Sequence, residues 1–171
     1  LVGSEMCIRD RKKETKNPPL LYNLAELQND CSKMFKISPD QTLKVVQELY
    51  ERKLVTYPRT DARVLSTAVA KEISKNIGGL THYEPLAAFA SEAMQAGLWK
   101  NIAKMRYVND KQITDHYAII PTGQGLGALR SLPELNRKIY QVIVRRFLSI
   151  CYPAAVYQKY AVEIEVKGEH F

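Results

Sequence analysis

With 171 residues and 46% apolar side chains, the chain is long enough to bury a core of its own and too apolar for wholesale disorder. Lysine and arginine total 25 against 18 aspartates and glutamates, and the resulting charge of +7 favours an anionic partner, nucleic acid being the commonest. No apolar run approaches the roughly 18 residues of a membrane span, so a membrane partner is not expected.

The first eleven residues stand apart. The string "EMCIRD" can be written in codons as a transposon-type sequencing adaptor, so residues 1–11 are expected to be a non-native scar and are excluded from fold reasoning. Residues 12–22, with paired Pro18 and Pro19, read as a linker leading into the domain. From there Leu24, Leu27, Cys31 and Met34 fall at helical spacing. Ser38-Pro39-Asp40-Gln41 is a capping box with proline at the first helical position, and Leu43, Val46 and Leu49 make the apolar row behind it. That helix is expected to end near Arg52 and Lys53, where cations suit the negative terminus. Leu54 to Tyr57 is short and β-prone, and Pro58 interrupts it.

Residues 66–79 predict one helix, with Val69, Ile73 and Ile77 on one side and Gly78-Gly79 as the stop. A further helix is expected to open near Pro85 and close at Gly97. Residues 98–127 have no clean period and predict loops and short strands. Ser131 to Glu134 reads as a second capping box, starting a helix whose buried face is Leu135, Ile139, Val142, Ile143 and Phe147 and which Pro153 ends. Beyond it Tyr160, Val162, Ile164 and Val166 alternate with polar or small residues, as in a half-buried strand. Of the three cysteines, Cys31 and Cys151 lie within helical apolar patterns and predict reduced core thiols in a reducing compartment. No Cys or His spacing suggests a metal site.

Chemistry concentrates in "TYPRTDAR". A phenol with a pKa near ~10 is a weak nucleophile at neutral pH and needs help. A guanidinium supplies it by steadying a phenolate and gripping phosphate through paired hydrogen bonds. In extended backbone Tyr57 and Arg59 would face the same way, stiffened by Pro58, with Asp61 placed to orient Arg59 or carry a proton. The same spacing also suits a strand-end aromatic followed by solvated turn residues. Downstream, "TDHYAIIPT" places His116 between Asp115 and Tyr117, where an imidazole can bond a phosphate or simply a neighbouring carboxylate.

Taken together, "LYERKLVTYPRTDAR" and "DHYAIIPT" closely resemble the type IA DNA topoisomerases, and the prolines of "TYPRTD" and "AIIPT" place the resemblance nearest the topoisomerase III branch. It runs from about Pro18 to Tyr160 and includes "PPLLYNLAELQ" and "LPELNRKIYQVIVRRFLSICYP". The resemblance implies that Tyr57 attacks one DNA strand to form a 5′-phosphotyrosine link, reversed by the freed 3′-hydroxyl after strand passage, without ATP. It implies that Arg59 steadies the scissile phosphate, that His116 holds a phosphate near the break, and that Asp61 and Thr60 assist. Single-stranded DNA is the implied partner, contacted through Arg59, Thr60, Arg63 and His116. Lys100, Lys104 and Arg106 add basic charge nearby, and Trp99 and Tyr107 are either core or base-stacking groups.

The implied cofactor is Mg²⁺, held by an acidic N-terminal domain whose ligands, with a catalytic glutamate and lysine, are not in this chain. The implied setting is a bacterial cytoplasm, associated with the nucleoid. The expected fold is mainly α with a small β component: a helical, winged-helix-like tyrosine domain over 23–152, then the start of a β gate domain over 153–171. Such a piece alone is expected to bind DNA without cleaving it. The competing reading is a non-catalytic helical DNA-binding module, in which the tyrosine motif is only a turn.

Overall fold

The computed structural model describes residues 19–152. The expected adaptor scar, most of the linker and the C-terminal strand lie outside the described residues. Helix α1 (Leu24–Phe35) starts where the Asn23 side chain accepts the Glu26 N–H at 2.8 Å, and it buries Leu27 and Cys31. Phe35 rather than Met34 continues that apolar row: Met34 is 47% exposed, while Phe35 packs on the core. Helix α2 (Pro39–Glu51) has the predicted capping box, with Ser38 Oγ accepting the Gln41 N–H and Gln41 Oε1 accepting the Ser38 N–H. Thr42 and Val45 join Val46 and Leu49 on its buried face, and Leu43 is only partly covered.

The end of α2 is a Schellman motif. The Leu54 N–H donates to Leu49 O and the Lys53 N–H to Tyr50 O, both at 2.9 Å, with Lys53 in the left-handed region at φ 63°. Leu49 and Leu54, which flank it, are both fully buried.

The expected helix over 66–79 divides at Glu72 into α3 (Thr67–Lys71), capped by Ser66, and α4 (Ile73–Leu80). Its glycines do not stop it; they lie within α4. Gly79 serves a close approach instead, since a Cβ there would collide with the carbonyl of Gly123. Helix α5 (Ala87–Ala96) follows a 3₁₀ turn at Glu84–Leu86 and closes at Gly97 with φ 65°, as the sequence predicts.

Residues 98–131 contain three further 3₁₀ segments, at Leu98–Lys104, Asp110–Gln112 and Leu126–Ser131. The last of these explains why the second capping box does not form: Ser131 Oγ donates back to Ala128 O at 2.9 Å. Helix α6 (Glu134–Ser149) therefore begins behind Pro133 without a side-chain cap. Its buried face is broader than expected, adding Tyr140, Val144 and Leu148.

Helix α2 packs against α1 and α6, and α4 against α5. The β component among the described residues is three isolated bridges, Tyr22 with Ile119, Val55 with Pro121, and Leu65 with Val108. The hub of two of them is Ala118-Ile119-Ile120, buried to 1% or less. Its three successive N–H groups donate to three different segments: Ala118 to Val64 O, Ile119 to Tyr22 O and Ile120 to Thr56 Oγ1. Pro121 follows at a position that needs no donor, because the Val55 bridge is closed by Thr56 N–H to Ile120 O and Thr122 N–H to Leu54 O. Cys31 and Cys151 are buried free thiols, and burial pushes each up to about 12. Among the described residues, no helix is long and apolar enough to cross a membrane.

Candidate active site

The two sequence motifs meet. Thr56 is the first stitch, donating through Oγ1 to Ala118 O at 3.1 Å and accepting from the Ile120 N–H at 2.9 Å. Thr60 is the second: only 7% exposed, it directs Oγ1 to His116 O at 3.4 Å, and the same oxygen accepts the Ala62 N–H. Its own carbonyl accepts the Leu24 N–H, anchoring the motif to the start of α1. Tyr57 lies between the two stitches and is half-buried.

The Tyr57 ring rests on the exposed His116 imidazole, with centroids 4.3 Å apart and planes inclined by 34°. Tyr50, from the last turn of α2, also contacts it, with centroids 5.3 Å apart and ring planes nearly perpendicular at 82°. These rings open into a cleft of about 640 Å³ that Lys53, Thr56, Tyr117 and Thr122 also line. The floor is held from behind. Thr122 Oγ1 donates to Lys53 O at 2.6 Å, and Asn76 Nδ2 on α4 donates to Pro121 O at 2.9 Å. Burial raises the pKa of the Tyr117 hydroxyl.

Arg59 is exposed and lines a different, adjacent cleft of about 750 Å³ along α2, with Asp40, Lys44, Glu48 and Arg52. The reason is local. The chain turns at Pro58, whose carbonyl accepts the Thr60 N–H at 3.0 Å, so Tyr57 and Arg59 do not share the single face that an extended strand would have given them. Asp61 is exposed and is engaged through its main-chain carbonyl, by Asn23 Nδ2 at 3.1 Å; it makes no ion pair with Arg59 among the described residues. Arg63 is turned inward, giving its Nε to Leu21 O at 3.1 Å and its NH2 group to Leu20 O at 3.3 Å. Tyr107 belongs to the core, and Trp99 is partly buried against the core cluster.

Tyr50, Lys53, Thr56 and Thr122 carry no sequence signal of their own as site residues. The sole clue was proximity in sequence: Tyr50, Lys53 and Thr56 precede Tyr57 by no more than two helical turns, and Thr122 closes the "AIIPT" string. Among the described residues no group of three or more His, Cys, Asp or Glu side chains is placed to hold a metal ion. The donor set among the described residues does not fit Mg²⁺, which prefers several carboxylate or water oxygens.

The DNA topoisomerase family model matches residues 6–171. The chain is 40% identical over its whole length to "DNA topoisomerase 3" of Bacillus subtilis (strain 168) and 41% identical, again over its whole length, to that of Bacillus licheniformis; each alignment spans 23% of the relative. A "DNA topoisomerase 3" of Bacillus cereus is 36% identical over 95% of this chain and 22% of its own length. The chain thus spans about a quarter of the length of the curated relatives it matches.

Proposed function

Because the chain belongs to the DNA topoisomerases, in the type IA topoisomerase III branch, we propose that it carries the strand-breaking tyrosine of such an enzyme and that Tyr57 is that tyrosine. The observation that carries this reading is the meeting of Tyr57 and His116 at 4.3 Å in an open cleft, with the two motifs stitched together on either side by Thr56 and Thr60.

In the proposed step the Tyr57 phenolic oxygen attacks a backbone phosphorus. One P–O bond forms as the P–O bond to the 3′-oxygen breaks, the phenolic proton passes to solvent, and the departing oxygen takes up a proton to become a 3′-hydroxyl. The number of phosphodiester bonds is unchanged, so re-attack by that hydroxyl reseals the strand without a nucleotide triphosphate. His116, exposed against the Tyr57 ring, is placed to bond a phosphate oxygen. Arg59 reaches the same DNA strand from the adjacent α2 cleft rather than from the Tyr57 cleft, as a phosphate clamp beside the break. Thr60 acts through His116, as a positioning residue. Asp61 faces solvent beside Arg59 with a supporting role.

Single-stranded DNA is the proposed substrate, relaxation and decatenation the proposed outcomes, and Mg²⁺, bound outside the described residues, the proposed cofactor. The test is a covalent-adduct assay on a full-length protein carrying this chain, using a 3′-labelled single-stranded oligonucleotide, whose label stays on the fragment joined to the tyrosine. Wild type should give a labelled protein band on a denaturing gel and Tyr57→Phe none. Equal adduct in the two ends the assignment.

A further inference from the structure

The charge lining the Tyr57 cleft is not the one the motif led us to expect. Arg59 lines the neighbouring cleft, and Arg63 is committed to main-chain carbonyls. Among the described residues lining the Tyr57 cleft, Lys53 alone carries a fixed positive charge; the others are aromatic, aliphatic or hydroxyl side chains and His116. Lys53 makes no ion pair with any described residue, so its ammonium is not neutralised by a neighbouring carboxylate.

Its backbone is the second observation. Lys53 occupies the left-handed position of the Schellman motif that ends α2, where glycine is preferred because it has no Cβ to strain. A lysine there is unfavourable for folding, and its main chain is pinned by both Lys53 N–H to Tyr50 O and Thr122 Oγ1 to Lys53 O. The side chain is therefore rooted at the rim of the cleft by a fixed backbone. We propose that Lys53 is the phosphate-binding cation of the Tyr57 cleft, holding a DNA backbone phosphate beside the tyrosine. This deepens the reading of the cleft as a DNA site and rests on it.

The position provides its own clean subtraction, since glycine removes the side chain while suiting the backbone. Lys36, which ends α1 at φ 54°, is the matched control on another part of the molecule. The experiment is fluorescence anisotropy of a labelled single-stranded oligonucleotide with the 171-residue chain, read across a KCl series, with thermal unfolding of each variant. Lys53→Gly should weaken binding about three- to tenfold and reduce the salt slope by about 0.7, the value for one phosphate contact on a single strand. Its melting temperature should rise by about 2–4 °C. Lys36→Gly should give a similar rise in melting temperature with unchanged affinity, and Lys53→Arg should retain binding.

Affinity and salt slope in Lys53→Gly matching wild type would overturn the proposal, and so would a wild-type chain that fails to bind the oligonucleotide. The catalytic reading fails separately. Weakened binding in Lys53→Gly together with an undiminished adduct in Tyr57→Phe would establish the phosphate site while removing Tyr57 as nucleophile.

Discussion

Two tyrosine clusters in this fold use similar residue types to opposite ends. Tyr22 is 3% exposed, donates its hydroxyl to Asp30 Oδ2 at 2.6 Å, and lies under the Arg146 guanidinium at 4.1 Å. Arg146 in turn pairs with Asp30 at 3.1 Å and donates to Leu20 O at 2.8 Å, the carbonyl that Arg63 also contacts. Every partner is spoken for. Burial is the main cause that drives the Tyr22 pKa upward, against the opposing pull of Arg146, so this phenol keeps its proton. Tyr57 is flanked by an exposed imidazole and by the near-perpendicular Tyr50 ring, and it lines an open cleft. Tyr22 is a structural tie because it is desolvated and saturated; the reactivity proposed for Tyr57 depends on a cleft that a substrate phosphate can enter. Residue type does not separate the two; accessibility does.

The sharpest way to break that contrast is to remove each hydroxyl in turn. In a full-length protein carrying this chain, Tyr57→Phe should abolish DNA adduct formation, whereas Tyr22→Phe should leave it within about threefold and lower stability by about 1–2 kcal/mol. Loss of the adduct in both would mean that Tyr22 shapes the site. The next effect in size comes from the saturated cluster: Arg146→Leu leaves the Asp30 carboxylate without its cation and should lower unfolding free energy by about 2–4 kcal/mol in a urea titration. An unchanged midpoint would show that Asp30 is adequately solvated alone.

Gly79→Ala tests whether the open cluster is supported from behind. The added Cβ meets the Gly123 carbonyl next to Thr122, so it should cost about 1–3 kcal/mol and shift the ring resonances of His116 and Tyr57 in the NMR spectrum. Resonances that stay in place would separate the α4 contact from the cleft.

The smallest effect is the pH dependence of the buried protons. Cys31 and Cys151, pushed up to about 12 by burial, and Tyr22, Tyr83 and Tyr140, also raised mainly by burial, hold protons more tightly folded than unfolded. Their contribution is fully present below the unfolded values and is lost as pH rises through and beyond them. Under reducing conditions stability should therefore fall by no more than about 1 kcal/mol between pH 7 and 9 and more steeply above. A rise over that range would contradict the burial of the thiols.

Much of the helical frame was legible because local signals agreed. The Ser38 box, the left-handed close at Gly97 and the apolar face of α6 all depend on residues within a turn or two of one another. The second box failed for a local competitor, the 3₁₀ segment that engages Ser131, and Gly78-Gly79 misled because Gly79 serves a tertiary approach rather than a helix end. Tyr57, Arg59 and His116 could be picked out by motif. Their geometry could not, because the bonds from Thr56 to Ala118 and from Thr60 to His116 join residues about 60 positions apart.

By itself the sequence determined the helical class, the core residues at helical period, the basic balance and the two motifs that mark the family, since composition, periodicity and short-range capping are properties of neighbours along the chain. Only the tertiary structure decided which cations face which cleft. The turn at Pro58 sends Arg59 to the α2 side, the Leu20 and Leu21 carbonyls draw Arg63 inward, and the left-handed end of α2 leaves Lys53 beside Tyr57. Side-chain direction depends on backbone turns and on distant hydrogen-bond partners, and neither is written in the spacing of residues.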